Sequence, residues 1–510
     1  MRLGARQAGE DRTQGRNLTP HPFPAREGVR GWYTSLMIPT GLAQQLSDLL
    51  GPGGVSGAPA DLRLHAADAL RPGRLAPGMA PDATGPQWVV WPRTLDQVQG
   101  LVRLANQART PLVPYGGGTG LMGSAMPVFG GIVVDLTRMA AVRRIDAEDR
   151  RVVAEAGAVL SDVDHALQRQ GLMLGHDPWT AGVATVGGAI STNSLGYRGG
   201  QYGSMGEQVL GLEAVLPDGR VISTRPAPKS STGPALHHLL IGGEGCFGIV
   251  TAATLKAFPQ PEQRRFHALQ FPDFEAGYRA VEDLFAIGLV PALLEYGEEF
   301  AAPTPAGWTD AEVPDGSTEL FLVFEGYAEM VAAQERRALV VCRSRRGQPM
   351  PESVAREFWD NRHRIAARFA AQRRETGLPP YLQPTESGPI ADFVHVALPA
   401  SRVLEYRRRC LDLAAASGVW VRDCGLWNRP ELFSLALVDG AGDAARLYRT
   451  ANAVIELAQD LGGAMEYCHG VGLRLAHLMG REHGEGLEAL RAIKRALDPL
   501  GILNPGKLGL

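Results

Sequence analysis

Three glycine-rich runs constrain this chain more than any other feature. They read "PLVPYGGGTGLMGSAMP" (111–127), "TVGGAISTN" (185–193) and "GGEGCFGIVT" (242–251). Bare backbone can adopt positive φ and lets another group approach closely. Gly118, Gly120 and Gly123 spell GxGxxG, but that fingerprint marks a dinucleotide fold only between a strand and a helix of several turns. "PLVPY" reads as the strand. Pro127, Gly130 and Gly131 then interrupt any helix, and "GIVVDL" (131–136) is the next element. No Gly-Lys-Ser/Thr closes a P-loop either. What remains is a loop of backbone N–H groups with the hydroxyls of Thr119 and Ser124, suited to an anion. The second run adds Thr185, Gly187, Gly188 and Asn193, and the third Gly243 and Gly248 beside Ile249 and Val250. Three such loops suit a long ligand with a diphosphate at its middle and flat rings at each end, a description FAD fits.

The 510 residues exceed one compact core and predict about two domains. A net charge of -3 gives no reason to expect nucleic acid or an anionic membrane, and no apolar run reaches the length of a membrane span. Five scattered cysteines without a CxxC pair predict reduced thiols and a cytoplasmic location. Residues 1–36 are polar, rich in Gly, Arg and Pro, and lack the apolar region of a secretory signal, so a disordered extension is expected. "TLDQVQGLVRLANQAR" (94–109) predicts an amphipathic helix, and "VLSDVDHALQRQG" another with Ser161 as its N-cap. After Pro259 a repeated β-α-β-β-α order predicts an antiparallel sheet covered by helices.

Four stretches in order carry a family likeness: "PYGGGTGLMGSAMP", "TVGGAISTNSLGYRGGQYG", "GGEGCFGIVTAATLKAF" and "RAIKRALDPLGILNPGKL". They resemble the FAD-linked oxidases of the vanillyl-alcohol oxidase superfamily, whose FAD domain is of the p-cresol methylhydroxylase (PCMH) type. The D-lactate and D-2-hydroxyacid dehydrogenase branch is nearest. The resemblance implies an α+β fold: a PCMH-type FAD-binding domain at 37–259, a cap or substrate domain at 260–463, and a segment at 464–510 completing the FAD domain. It implies that Pro114, Gly116, Gly117, Gly118, Thr119, Gly120 and Ser124 cradle the diphosphate. Gly187, Gly188 and Asn193 would lie along the ribityl and flavin, Ile249 and Val250 beside the adenosine half, and Asn504 near the isoalloxazine, with Thr185, Gly243 and Gly248 among the other cofactor-binding residues. No histidine or cysteine occupies "PYGGGTG", where some relatives attach FAD, so non-covalent FAD is expected.

The resemblance also implies a reaction, hydride transfer from a small 2-hydroxy acid or related alcohol to FAD. His469 in "EYCHGVG" would be the base and Arg362 in "FWDNRHR" would hold the substrate carboxylate. His483 in "REHGEG" competes with His469, but the spacing to "ALDP" favours His469. Family members carry a divalent metal on two histidines and a glutamate. Leu426, Phe433 and Cys468 stand at those positions here, so no metal is expected. "HGVG" also resembles alkylglycerone-phosphate synthase, a flavoenzyme without net redox. Such chemistry, or a flavoprotein that only binds a ligand or partner subunit, are the alternatives. A homodimer or an electron-accepting partner is expected alongside the small-molecule substrate.

Overall fold

The computed structural model describes residues 41–75, 85–300, 318–383 and 388–510. The extension expected at 1–36 lies outside the described residues. A first sheet runs Val55–Ser56, Trp88–Val90, Ile132–Asp135, Leu112–Tyr115, its last three strands parallel. The helix Leu95–Ala108 connects two of these strands. Thr94 caps it by accepting the Gln97 N–H, and Val98, Leu101, Val102 and Ala105 form its buried stripe.

A second, five-stranded antiparallel sheet runs Val142–Asp146, Arg151–Glu155, Ile249–Lys256, Val209–Val215, Val221–Ser223. The third sheet has seven strands, all antiparallel, from Gln348–Pro349 at one edge through Gln263–Phe271 to Ile390–Ala397 at the other. Its strands alternate between two apolar faces. Leu294, Leu322 and Phe324 join the main core, while Phe266, Leu293 and Val323 pack on Ala355 and Trp359 of the helix Glu352–Asn361.

The C-terminal tail returns to the first sheet. Leu112 bridges Leu503 in parallel, and the buried Lys494 ammonium donates to the carbonyls of Cys246 and Leu503. Two local expectations need correction. Ser161 is not a cap: the helix spans Leu160–Gln168 with Val159 before it and no side-chain cap bond. The second glycine run is not all loop, because Val186–Thr192 is a short helix capped by Thr185. The first run behaves as read, with no helix between Tyr115 and Ile132.

Candidate functional site

The three glycine loops meet around one cavity. Pro114, Gly116, Gly117, Gly118, Thr119, Gly120 and Ser124 line it from the first loop, and Thr185, Gly187 and Gly188 from the second. Gly248, Ile249 and Val250 close it from the third. The contacts explain the glycines. A Cβ on Gly116 would overlap the Thr185 hydroxyl and one on Gly117 the Val183 carbonyl. Gly118 has φ 66°, which side chains rarely adopt. Among the described residues that line the cavity there is no arginine or lysine. A diphosphate would rest on neutral donors, each hydrogen bond to a charged group contributing roughly 1.5–3 kcal/mol.

Two residues lock the loops together. Glu244 accepts the Val471 N–H at 2.6 Å and the Gly472 N–H at 2.9 Å, which ties the third loop to the turn carrying His469. Burial pushes its carboxyl up to about 7. Asn504 donates through Nδ2 to the Ser124 carbonyl at 2.8 Å and the Glu244 carbonyl at 2.6 Å. It is therefore buried between two loops and does not line the cavity as expected. Replacing Asn504 by Ala leaves both carbonyls short of a donor. Unfolding should then lose roughly 1–3 kcal/mol, read as a lower melting temperature with weaker FAD retention. A variant as stable and as yellow as the parent would show that the lock is dispensable.

Asn193 and Gly243 are also displaced from their expected roles. Asn193 ends the short helix at φ 48°, and its Oδ1 accepts the Gly206 N–H at 2.9 Å. Gly243 sits in a tight turn where a Cβ would press on the Leu239 carbonyl at 2.8 Å. Both shape the loops from behind the cavity wall.

His469 lines the same cavity as the glycine loops. Its Nδ1 is buried without a hydrogen-bond partner and lies 3.7 Å from Glu466 Oε1. The ring meets His395 edge-on, with centroids 4.4 Å apart at 82°. Burial, the neighbouring His395 and the Arg74 cation hold its pKa well below the ordinary histidine value, so the ring is neutral. The turn around it is fixed by Glu466 Oε1, which accepts the N–H groups of Tyr467, Cys468 and His469. His483 instead ends the helix Met479–His483 as an exposed side chain.

Arg362 is not brought to this cavity. Its Nε donates to Asp177 Oδ2 at 2.9 Å, Nη1 donates to the Trp359 carbonyl, and the guanidinium stacks on the Trp359 ring at 3.8 Å. It lines a second cavity of about 800 Å³ together with Arg198, Arg264 and His363. The segment 176–180 stands between the two: His176 and Asp177 face the second cavity, Pro178, Trp179 and Thr180 the first. Burial works against the Asp177 charge. His363, Arg198 and Arg362 together nevertheless hold its carboxyl well below the usual range. The guanidinium thus has a fixed anionic partner, which corrects its assignment as a carboxylate holder beside His469.

The family's metal positions do not fit a metal. Leu426 and Phe433 pair across adjacent strands inside the apolar core. Cys468 is buried, directs its thiol at the Leu195 carbonyl, and burial raises the thiol far above its usual range, away from the thiolate a metal binds. Sequence reasoning missed Glu244, whose partners Val471 and Gly472 lie 227 and 228 residues on, Glu466, which bonds the backbone of its own turn, and His395, one polar position in an alternating strand.

Comparison with known proteins follows the same lines. Residues 86–225 match the family described as FAD binding domain, and 260–508 the FAD linked oxidases, C-terminal domain. A D-lactate dehydrogenase of Archaeoglobus fulgidus is 31% identical over 448 residues, covering 86% of this chain and 95% of that protein. The glycolate oxidase subunit GlcD of Bacillus subtilis is 28% identical, covering 83% and 89%. A D-2-hydroxyglutarate dehydrogenase of Xanthomonas citri pv. viticola is 28% identical, covering 88% and 93%. Among solved structures, p-cresol methylhydroxylase with substrate bound superposes with TM-score 0.73 at 18% identity, over 92% of this chain and 96% of that one. An alkyldihydroxyacetonephosphate synthase gives TM-score 0.71 at 16% identity, over 91% and 84%. With three glycine loops around one cavity, family matches over 86–225 and 260–508, and a 31% identical relative over 86% of its length, the chain belongs to the FAD-linked oxidases.

Proposed function

We propose that this chain is an FAD-dependent dehydrogenase or oxidase of a small 2-hydroxy acid, with dissociable FAD. The observation that carries the reading is His469: a neutral imidazole on the wall of the glycine-loop cavity, held by a turn that Glu244 and Glu466 both anchor. The glycine loops around Gly116, Gly117, Gly187 and Gly188 would hold FAD, which would supply a hydride acceptor for the substrate α-carbon. His469 takes the hydroxyl proton, for which a neutral ring nitrogen is the required acceptor. Asn504 keeps two of the loops in register. The relatives named above act on D-lactate, glycolate or D-2-hydroxyglutarate by their names, which supports the substrate class.

The remaining parts of the reading are a cytoplasmic location and a homodimer or electron-accepting partner. Among the described residues no helix is long and apolar enough to cross a membrane. The test is anaerobic mixing of the yellow protein with D-lactate, glycolate and D-2-hydroxyglutarate while the visible flavin absorbance is followed. Bleaching by at least one is expected. A flavin that stays oxidised with every 2-hydroxy acid offered would sink the redox reading in favour of chemistry without net electron transfer. Acid precipitation should leave the flavin in the supernatant. Flavin retained on the pellet would show a covalent link.

A further inference from the structure

His395 lies on the strand Ile390–Ala397, while Glu466 and His469 flank the turn after Gly463. One ligand atom from each of the three lies within 4.8 Å of the others. We propose that His395, Glu466 and His469 form a site for a divalent transition cation, and that its occupation silences His469 as a base. The second half rests on the functional reading given above.

The geometry favours binding. Zinc with ligands at about 2.0–2.1 Å sets tetrahedral ligand-to-ligand edges of about 3.4 Å. His469 Nδ1 lies 3.7 Å from the Glu466 carboxylate, close to that edge, and the three ligand atoms all lie within 4.8 Å of one another. Nδ1 of His395 and Nδ1 of His469 are both buried without a hydrogen-bond partner, a costly state that a metal relieves. The three N–H groups on Glu466 Oε1 fix the carboxylate in place and leave Oε2 as its ligating oxygen. Arg74 is the nearby cation, and it is paired with Asp392, which Arg474 shares. Two imidazoles and one carboxylate beside a guanidinium suit zinc-class ions over magnesium or calcium, which prefer oxygen.

A neutral imidazole has one lone-pair nitrogen. A metal on that nitrogen leaves only an N–H, which cannot take the substrate proton. The site uses none of the positions Leu426, Phe433 and Cys468, on which the expectation of a metal-free chain was based. The consequence is reversible inhibition, in place of activation, by the metal.

The test uses the FAD-loaded full chain, stripped with chelator and equilibrated with zinc. Bound metal is counted by atomic emission. One zinc per chain is expected, with affinity falling roughly tenfold or more in His395→Gln. His469→Gln should weaken binding likewise. FAD content and melting temperature check that each variant is folded. Equal zinc affinity in parent and both variants, or no stoichiometric zinc in the parent, overturns the site. Flavin reduction by the best hydroxy acid is followed in parallel. Zinc should slow it roughly 10²-fold or more, EDTA should restore it, and His395→Gln should resist the zinc. Zinc that binds through His395 without slowing reduction keeps the site and removes the base role. A slow His469→Gln in a parent that binds no zinc does the reverse.

Discussion

Replacing His469 by Gln should leave the protein yellow and slow its reduction by hydroxy acid by roughly 10²–10⁴-fold. FAD should stay because the loops that would hold the diphosphate are anchored by other residues, Glu244 through the backbone of Val471 and Gly472 and Asn504 through two carbonyls. Gln keeps similar size and can donate or accept, but it cannot take up a proton at neutral pH. His483→Gln serves as the control, because His483 is an exposed helix end. Stopped-flow absorbance on FAD-normalised samples measures both. A His469→Gln protein that reduces at the parental rate would end the assignment of this residue as base.

Gly117→Val should give a largely colourless protein. The added Cβ would collide with the Val183 carbonyl and crowd the Ala184 backbone, so the first and second loops must part. Overpacking of this kind costs typically about 1–3 kcal/mol, and more where backbone is the obstacle. The opened loops would no longer surround the diphosphate. FAD per chain should fall to roughly a tenth or less, with far-ultraviolet circular dichroism as the check that the sheets persist. Gly182→Ala is the matched control, since nothing lies within 4 Å of its added Cβ. Full flavin occupancy in Gly117→Val would mean the loops tolerate separation.

The glycine loops were legible because close approach and positive φ restrict the residue type locally, and Gly116 to Gly120 wear that restriction openly. His469 was singled out by the likeness of "EYCHGVG" and its spacing to "ALDP", and the fold puts its side chain on the cavity wall. Arg362 was misplaced for a physical reason: its Asp177 partner lies 185 residues earlier, and a guanidinium's pairing cannot be read from its own segment. The helix Val186–Thr192 was missed because two glycines lower helix propensity, while the Thr185 cap and the packing of Val186 and Ile190 outweigh them. His395 left no trace, since one histidine in an alternating strand looks like any other polar position until the fold brings Glu466 and His469 beside it.

The return of the tail sets an order on assembly. Asn504 bridges the Ser124 and Glu244 carbonyls by donating to both, and Lys494 bridges the Cys246 and Leu503 carbonyls in the same way. Until this segment docks, the strands of the sheets can pair but the cleft lacks the contacts that clasp its loops, so flavin loading should wait on the docking of residues near 494–504.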